Sequence, residues 1–382
     1  MKPDLDYLQA VLGRLLNTPS PSGMTDAVVH LLCHELDELG IEYELTRRGA
    51  IRARLQGSRR APARAVVSHL DTLGAMVKGY RPNGRLDVVP IGFWSARFAE
   101  GARVTIYSDH GVLHQGTLLP RKASGHTFNT EIDTQPVSWD NLELRVDART
   151  SSEAETRALG IHVGDTVAVH ANPVFGPEGF INARHLDDKA GVAAVLAALK
   201  AIVQSNGRPP VDCFPLFTIS EEIGVGASHV LHGDVAELLS IDNGTVAEGQ
   251  YTHEYGVTIA MQDSSGPFDW HLTRRLLELC AAQGIPHARD VFRYYRSDAA
   301  AALEAGNDIR TALVCFGLDA SHGHERVHLD SLDALARLLI GFMTSPPLFQ
   351  RDRKRLGPLA DFPPAEVQTP DWQDRLPDSP NP

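Results

Sequence analysis

The stretch His185-Leu186-Asp187-Asp188-Lys189-Ala190-Gly191, followed by the apolar run of residues 192–199, decides how this chain is interpreted. The Ala- and Leu-rich run predicts a buried helix, and a carboxylate directly before a helix is a common N-terminal cap. A cap needs only one carboxylate, and this stretch has two adjacent ones near a histidine. The glycine that follows allows another part of the backbone to approach closely. On this stretch alone, a capped core helix and a metal-ligating turn are both open.

Acidic and histidine motifs also follow four predicted strands. The strand of residues 64–68 leads into His69-Leu70-Asp71, and the strand of residues 212–219 leads into Ser220-Glu221-Glu222. The strands of residues 238–241 and 311–318 lead into Asp242 and His322. Because ligand-binding residues of α/β proteins gather at the carboxyl ends of strands, we expect these motifs to converge.

The alternation of strands and helices predicts the fold. It occupies the first 72 residues and resumes after residue 172, which indicates an α/β three-layer sandwich over a mixed, largely parallel sheet. Residues 73–172 hold short β-type runs separated by turn residues, which predicts an inserted small β-barrel or sandwich domain. We therefore assign residues 1–72 and 173–345 to the main domain, 73–172 to the insertion and 346–382 to a poorly ordered Pro-rich tail.

The composition argues against several kinds of partner. The 382 residues carry 36 Lys and Arg against 48 Asp and Glu, and this net charge of -12 disfavours nucleic acid and anionic membrane surfaces. No apolar run reaches membrane-spanning length, and the N-terminus lacks the apolar core of a signal peptide. The four cysteines are widely spaced within apolar runs, which is typical of reduced core thiols, so we expect a cytoplasmic protein.

The candidate ligands are imidazoles and carboxylates. Such groups bind divalent ions such as Zn²⁺, Co²⁺ and Mn²⁺, whereas structural zinc sites commonly use thiolates. Two ions a few ångströms apart need a carboxylate between them, because their charges otherwise repel. Asp187, with the predicted helix dipole behind it, suits that bridging role. The sequence therefore indicates a metal-dependent hydrolase.

The pair Glu221-Glu222 offers two different roles. Adjacent residues at a strand end point to different sides, so one can bind an ion while the other faces the substrate as a general base. A solvated acidic loop is the alternative. Asp71, two residues after His69, is placed to accept the imidazole N–H and fix its tautomer, with a turn cap as its alternative.

Several further residues stay open as contributors to the site. His324 and His328 compete with His322, and spacing alone does not separate them. His185 could support a ligand from behind. Residues 293–298, Arg-Tyr-Tyr-Arg-Ser-Asp, form either a solvated charged loop or the wall of a substrate pocket. Four other histidines lie on predicted helices and are interpreted as surface or packing residues: His30, His34, His229 and His232.

Taken together, the motifs resemble those of the M42 family of dinuclear-metal aminopeptidases, which includes glutamyl and deblocking aminopeptidases. The similarity spans roughly residues 5–345 and includes parts of the insertion, at residues 116–122 and 146–165. The matching motifs are His69-Leu70-Asp71, Leu186-Asp187-Asp188-Lys189-Ala190-Gly191, Ser220-Glu221-Glu222-Ile223-Gly224, Ile241-Asp242 and the segment that ends at His322.

The resemblance implies a ligand set. One divalent ion would be held by His69, Asp187 and Asp242, and a second by Asp187, Glu222 and His322. Two ions per subunit are therefore the expected cofactors, with Zn²⁺ or Co²⁺ ahead of Mn²⁺. The resemblance also implies a zinc-peptidase-like α/β fold with a β-rich insertion, and a homo-oligomer, in this family often a hollow dodecamer.

The resemblance further implies catalytic roles and a substrate. Glu221 would be the general base and Asp71 the partner of His69, in an aminopeptidase that removes N-terminal residues from peptides or small dipeptides. Where many members read Arg-Tyr-x-His-Ser, this chain reads Asp319-Ala320-Ser321-His322-Gly323, which puts substrate preference and assembly in question. The chain is also similar to the branch found alongside synthesis of the osmoprotectant N-acetylglutaminylglutamine amide, which implies a small blocked dipeptide as substrate.

Three alternative functions stay open. A deacylase or amidohydrolase acting on a small amide would use the same metal chemistry. A glycosidase using Glu221 leaves the histidines unexplained, and two carboxylates adjacent in sequence rarely flank one glycosidic bond at the required separation. A catalytically idle scaffold would retain the fold, and an activity assay separates it from the enzymes.

Overall fold

The computed structural model describes residues 1–348, and the predicted tail lies outside the described residues from residue 349 onward. Within the described part, no helix is both long and apolar enough to cross a lipid bilayer. Ten α-helices occur in residues 1–348, and three short 3-10 turns lie at Asp109–Gly111, Trp139–Asn141 and Ala227–His229. The helices are α1 (Leu5–Leu16), α2 (Asp26–Glu38), α3 (Ala96–Ala99), α4 (Gly125–Phe128), α5 (Glu131–Thr134), α6 (Glu153–Ala158), α7 (Leu186–Gln204), α8 (Trp270–Gln283), α9 (Asp298–Glu304) and α10 (Leu329–Thr344).

Eighteen strands of the described chain divide between one large sheet and one closed barrel. They are β1 (Glu42–Leu45), β2 (Ile51–Arg54), β3 (Ala63–His69), β4 (Gly74–Tyr80), β5 (Leu86–Ile91), β6 (Arg103–Tyr107), β7 (Leu113–Pro120), β8 (Leu142–Val146), β9 (Thr166–Val169), β10 (Val174–Phe175), β11 (Phe180–Ala183), β12 (Cys213–Thr218), β13 (Val235–Thr245), β14 (Val257–Asp263), β15 (Gly266–Pro267), β16 (His287–Val291), β17 (Arg310–Asp319) and β18 (Glu325–His328).

The large sheet is mixed, with a parallel centre. Its main order is β1-β2-β12-β3-β13-β17-β18-β11-β10, with β14 beside β17 and β15 and β16 beside β14. The four central strands β12, β3, β13 and β17 run parallel, while the outer pairs β1–β2, β17–β18 and β11–β18 are antiparallel. The carboxyl ends of the central strands therefore open at one edge, where such sheets bind ligands.

The barrel is inserted between β3 and β10 of the sheet. Its six strands close in the order β4-β5-β8-β7-β6-β9, and its apolar core includes Val77, Leu86 and Ile106. The chain leaves the sheet after His69, returns to it at β10 and reaches Asp187 after β11. His69 Nε2 and Asp187 Oδ1 lie 3.3 Å apart, so both residues are at the same edge of the sheet.

Helix α7 is the centre of the main core. Its residues from Leu186 to Leu199 are buried, and it packs against α1, α10 and the strands β3 and β13. The helix is rich in alanine, whose small side chain allows neighbouring elements to approach closely on every side. The buried helix thus fixes its own N-terminus, with Asp187, against the carboxyl ends of the central strands.

The predicted fold class is confirmed, and the differences lie in particular elements. Strand β4 was not predicted, because Gly74 and Gly79 weaken its β-type pattern, and a register shift occurs beside Gly79. The short strands β10, β11, β15, β16 and β18 were also not predicted. The barrel strands run from Gly74 to Val169, and the domain boundaries drawn at residues 72 and 172 stay a prediction.

Candidate metal centre

The predicted ligands meet at the carboxyl edge of the four central strands. His69 ends β3, Glu222 follows β12, and His322 follows β17. Asp242 was expected just after a strand, but it lies inside β13, which continues to Thr245 because it stays paired with β17. Pairing of β13 with β3 stops at Ser240, so the β13 edge beyond it is open to the site.

The segment around Asp187 departs from regular helix. The backbone at Asp187 has φ -72° and ψ 110°, and Asp188 has φ -112° and ψ 21°, so regular helical geometry begins only after Asp188. The peptide bond between the two aspartates is cis. Because regular helical geometry begins after Asp188, the Asp187 carboxylate lies ahead of the helix N-terminus, where the positive end of the helix dipole favours a negative charge.

Two groups of three potential ligands share Asp187. In His69, Asp187 and Asp242, one ligand atom from each residue lies within 4.8 Å of the others. The same holds for Asp187, Glu222 and His322. His69 Nε2 is 3.3 Å from Asp187 Oδ1, whereas His322 Nε2 is 3.4 Å from Asp187 Oδ2, so the two carboxylate oxygens face different groups.

Both histidines are held in the tautomer that a metal ligand needs. His69 Nδ1 is 2.9 Å from the main-chain oxygen of Asp71, and His322 Nδ1 is 2.9 Å from that of Phe93. A carbonyl oxygen only accepts, so each Nδ1 carries a proton, and each Nε2 faces the carboxylates and can bind an ion once its own proton is lost. The orientation of each imidazole is thereby fixed before any ion binds.

Asp71 is buried, but its carboxylate has a different partner from the one expected. Its oxygens accept hydrogen bonds from the Ser22 hydroxyl at 2.5 Å and from the main-chain N–H groups of Glu221 and Glu222 at 3.1 and 3.3 Å. The Asp71 carboxylate is 3.7 Å from His69 Nδ1, which donates to the Asp71 main-chain oxygen instead. Asp71 therefore positions Glu221 and Glu222 through its carboxylate. It positions the His69 ring through its main-chain oxygen.

The two adjacent glutamates take different positions. Glu222 is buried and belongs to the second group of ligands, with Oε2 3.8 Å from His322 Nε2. Glu221 belongs to neither group and lines the cavity, with Oε2 3.9 Å from His69 Nε2. This arrangement leaves the Glu221 carboxylate free to act on a substrate.

The ionisation of the site reflects crowded negative charge. Burial raises the pKa of Glu222 to about 8, with the Asp187 charge adding to the rise and the His322 charge opposing it. Burial also holds the pKa of Glu221 and Asp242 well above the usual range. Burial lowers the pKa of His322, but the hydrogen bond to Asp187 and the nearby glutamates outweigh it and raise the value to about 10. The ion-free site therefore retains protons where cations would relieve the repulsion.

The donor set fits divalent ions. Each group supplies one imidazole nitrogen and two carboxylates, the ligands that Zn²⁺, Co²⁺ and Mn²⁺ accept. Within residues 1–348, the buried Oε1 atom of Glu222 has no hydrogen-bond partner. A bound cation would give such an unsatisfied buried carboxylate oxygen a partner.

Sequence reasoning missed two side chains that organise the centre. The Asn243 amide donates to Asp187 Oδ2 at 2.8 Å and to Asp242 Oδ1 at 3.0 Å, which ties two candidate ligands together. The Glu325 carboxylate accepts from the main-chain N–H groups of Asp187 and His322. The position of Asn243 directly after Asp242 was a usable signal. For Glu325, the only sequence feature that could have indicated a role was its position three residues after His322.

The remaining candidates are resolved by their positions. His324 is exposed, and His328 Nε2 bonds to the main-chain oxygen of Glu178, so neither belongs to a described ligand group. His185 is buried and bonds through Nε2 to the main-chain oxygen of Val169, on the barrel side. Of the three histidines His322, His324 and His328, only His322 therefore lies in a ligand group of the described chain.

A cavity of about 510 Å³ opens over the centre. Residues 293–296 form part of its wall, which favours the pocket interpretation of that run over a solvated loop. Tyr295 is anchored by a 2.7 Å hydrogen bond from its hydroxyl to the Asn243 main-chain oxygen. Three further aromatic residues also line the cavity: Phe93, Trp94 and Phe98.

This fold, with paired carboxylate and imidazole groups at the carboxyl edge of its sheet, defines the class of α/β metallopeptidases. The model of the family described as M42 glutamyl aminopeptidase matches residues 49–338. The protein named "Putative aminopeptidase YhfE" of Bacillus subtilis (strain 168) is 35% identical over 336 residues, which are 88% of this chain and 97% of that protein. The chain belongs to the M42 glutamyl aminopeptidase family, and it is accordingly a peptide-bond hydrolase.

Solved structures show the same fold at low sequence identity. The TET aminopeptidase from a marine sediment archaeon, Thaumarchaeota archaeon SCGC AB-539-E09, has a TM-score of 0.80 at 19% identity, covering 89% of this chain and 96% of that chain. The TET1 peptidase of Pyrococcus horikoshii can assemble into a tetrahedron or a large octahedral shell. It has a TM-score of 0.77 at 20% identity, and the match covers 89% of this chain and 100% of that chain. The M42 peptidases are metal-dependent, which agrees with the ligand groups of this chain.

Proposed function

We propose that this chain is a two-metal aminopeptidase that removes N-terminal residues from peptides or from small, including N-blocked, dipeptides. The supporting observation is that two groups of ligands share Asp187 while Glu221 stays outside both and faces the cavity. In this proposal His69, Asp187 and Asp242 hold one divalent ion, and Asp187, Glu222 and His322 hold the other. Zn²⁺ and Co²⁺ are the first ions to test, followed by Mn²⁺.

In the proposed mechanism the ions would activate the carbonyl and the water, and Glu221 transfers the proton. Ions held by these two ligand groups would polarise the scissile carbonyl and make water more acidic. Glu221 accepts a proton from the attacking water as its oxygen bonds to the carbonyl carbon, and then returns that proton to the amine nitrogen as the C–N bond breaks. Phe93, Trp94 and Phe98 in the cavity wall offer apolar contact surface to a substrate side chain.

Assembly and location are further parts of the proposal. Because the Pyrococcus horikoshii TET1 peptidase shares the fold and can assemble into a tetrahedron or a large octahedral shell, we infer a homo-oligomer, with the dodecamer as the first state to test. The four cysteines are buried and none forms a disulfide, which supports the cytoplasm as the location.

A substrate panel with and without chelator tests the proposal. Metal-reconstituted protein is incubated with aminoacyl substrates carrying acidic, basic or apolar residues, with N-acetylated dipeptides, and with a β-glucan. We expect EDTA-sensitive release of amino acids from free or blocked dipeptides, because every proposed step needs the ions.

The outcomes of the panel are distinct. Cleavage confined to acetylated dipeptides retains the metal mechanism and assigns a blocked substrate. Cleavage of the β-glucan that resists EDTA would contradict the peptidase proposal. Absence of any cleavage with two ions bound would contradict it as well, and would favour an idle scaffold.

A further inference from the structure

Glu325 lies where two parts of the candidate metal centre meet. It is the first residue of β18, and it pairs in register with Ala183, the last residue of β11. The chain reaches Asp187 four residues after Ala183, and it reaches Glu325 three residues after His322. The antiparallel pairing of these two strands therefore brings the Asp187 and His322 segments to the same carboxylate.

The two oxygens of Glu325 are divided between those segments. Oε2 accepts from the main-chain N–H of Asp187 at 3.1 Å, and Oε1 accepts from the main-chain N–H of His322 at 2.8 Å. The side chain is 1% exposed, so water does not compete for either bond. A carboxylate accepting two main-chain N–H groups fixes both backbones in relation to one another.

The His322 backbone needs such a constraint. Both Ala320 and His322 have positive φ, at 56° and 66°, a left-handed conformation that non-glycine residues rarely adopt. Residues in this conformation persist where surrounding contacts determine it, and they concentrate at functional sites. The imidazole is held from the other side by the main-chain oxygen of Phe93, so Glu325 and Phe93 together determine where Nε2 points.

We propose that Glu325 is a positioning residue that sets the separation between the bridging carboxylate and His322, and thereby the affinity of the second ion. The inference rests on the proposed function, because it assumes that Asp187, Glu222 and His322 bind an ion. Glu325 itself is outside both ligand groups of the described chain. Its effect is therefore transmitted through main-chain hydrogen bonds to the ligands.

The test compares Glu325→Gln with Glu35→Gln. Glu35 is also buried and accepts hydrogen bonds from Tyr7 and Arg14, away from the metal centre, so it controls for loss of a buried carboxylate. Titration with Zn²⁺ is expected to show affinity for one of two ions about 10- to 100-fold weaker in Glu325→Gln and unchanged in Glu35→Gln. Excess Zn²⁺ should restore kcat with little change in KM. Glu325→Asp keeps the charge and provides a second variant if Glu325→Gln folds poorly.

Two added variants assign the affected ion. If Glu325 acts through His322, Glu325→Gln should weaken Zn²⁺ binding in a His69→Ala background and have little further effect in a His322→Ala background. Equal effects in both backgrounds, or two ions bound to Glu325→Gln with wild-type affinity, would overturn the inference.

A readout without metal separates this inference from the proposed function. The imidazole ¹⁵N resonances of His322 in the ion-free protein should shift in Glu325→Gln and stay in place in Glu35→Gln. If the wild-type protein binds no ion, the proposed function fails while a His322 shift still supports the positioning role. Unchanged His322 resonances in Glu325→Gln would overturn the positioning role.

Discussion

Asp187 has the largest proposed role of any single residue, because each of its carboxylate oxygens faces a different imidazole. We predict that Asp187→Ala abolishes binding of both ions, since each ligand group loses a carboxylate and the charge between the ions disappears. Elemental analysis of the purified variant measures this directly. Asp242→Ala is the matched control, because Asp242 belongs to one group only and its loss should leave one ion bound. Two ions retained by Asp187→Ala would contradict the bridging assignment.

The ionisation of the second ligand group predicts how ion binding depends on pH. In the ion-free protein the pKa of His322 is about 10 and that of Glu222 about 8, so both residues are mainly protonated at neutral pH. An ion must displace these protons, and affinity should therefore rise with pH, by about 10- to 100-fold per unit between about pH 6 and pH 8.

Isothermal titration in buffers of different ionisation enthalpy counts the released protons. His322→Ala is the control. Its binding of the second ion should release about one proton fewer than the wild-type protein, so its affinity should rise less steeply with pH. An affinity for the second ion that does not change across this pH range would show that the ligands are already deprotonated.

At the level of residues, the sequence predicted groups that carry their own chemical signal. His69, Glu222 and His322 are imidazoles or carboxylates at the end of a strand or a few residues after one, and the structure brings them to one edge of the sheet. Asn243 was missed because the folded chain alone brings its side-chain amide beside the Asp187 carboxylate. Glu325 was missed because it accepts from main-chain N–H groups, which leave no mark in a residue pattern. The partner of His69 Nδ1 differed from the prediction for the same reason, since a main-chain oxygen leaves no trace in a residue pattern.

Among the elements, α7 shows how tightly the metal centre is joined to the core. A Cβ atom at Gly191 would lie 2.2 Å from Asp188 Oδ1 and 2.8 Å from Ile241 Cγ2. We predict that Gly191→Ala lowers the free energy of unfolding by about 1–3 kcal/mol, because the buried helix has no room to move away. Chemical denaturation measures the change.

Gly13 in α1 provides the matched control for that substitution. A Cβ there would be 3.8 Å from Phe175, an ordinary contact, so Gly13→Ala should stabilise the helix by about 0.5–1 kcal/mol. A Gly191→Ala variant as stable as Gly13→Ala would contradict the packing described for α7.

Elements with strong periodicity were predictable, and those defined by their partners were not. Helix α7 has a long apolar pattern, and the run of residues 192–199 that predicted it lies within the observed helix. The continuation of β13 past Asp242 depends on its pairing with β17, which local sequence does not reveal. Strands as short as β10 and β18 carry too few residues to show alternation.

At the scale of the whole molecule, an exposed edge strand of the large sheet bears on the oligomeric state. The edge strand β10 exposes Val174 and Phe175 at 59% and 40%, and an uncovered apolar edge strand favours association. We predict that the full chain elutes as a homo-oligomer with a mass near twelve times that of one chain. Light scattering coupled to size exclusion provides the mass, and a monomeric mass at micromolar concentration would contradict the prediction.

At this scale, the alternation of strands and helices and the β-rich insertion were sufficient to predict the α/β sandwich with its barrel. The sequence did not predict how the barrel contributes to the metal centre. The loop after β5 places the Phe93 main-chain oxygen against His322, a contact between segments 229 residues apart. Contacts of this kind arise from domain packing, for which a single sequence holds no pattern.

The substitution Glu221→Gln tests the central claim most directly, because it removes the proposed general base and retains the shape of the side chain. The measurement pairs metal content with the rate of peptide-bond hydrolysis on one preparation. We predict two bound ions, as in the wild-type protein, and a rate lower by about 10²- to 10⁴-fold, since Glu221 lies outside both ligand groups. Wild-type turnover by Glu221→Gln with two ions bound would contradict the account.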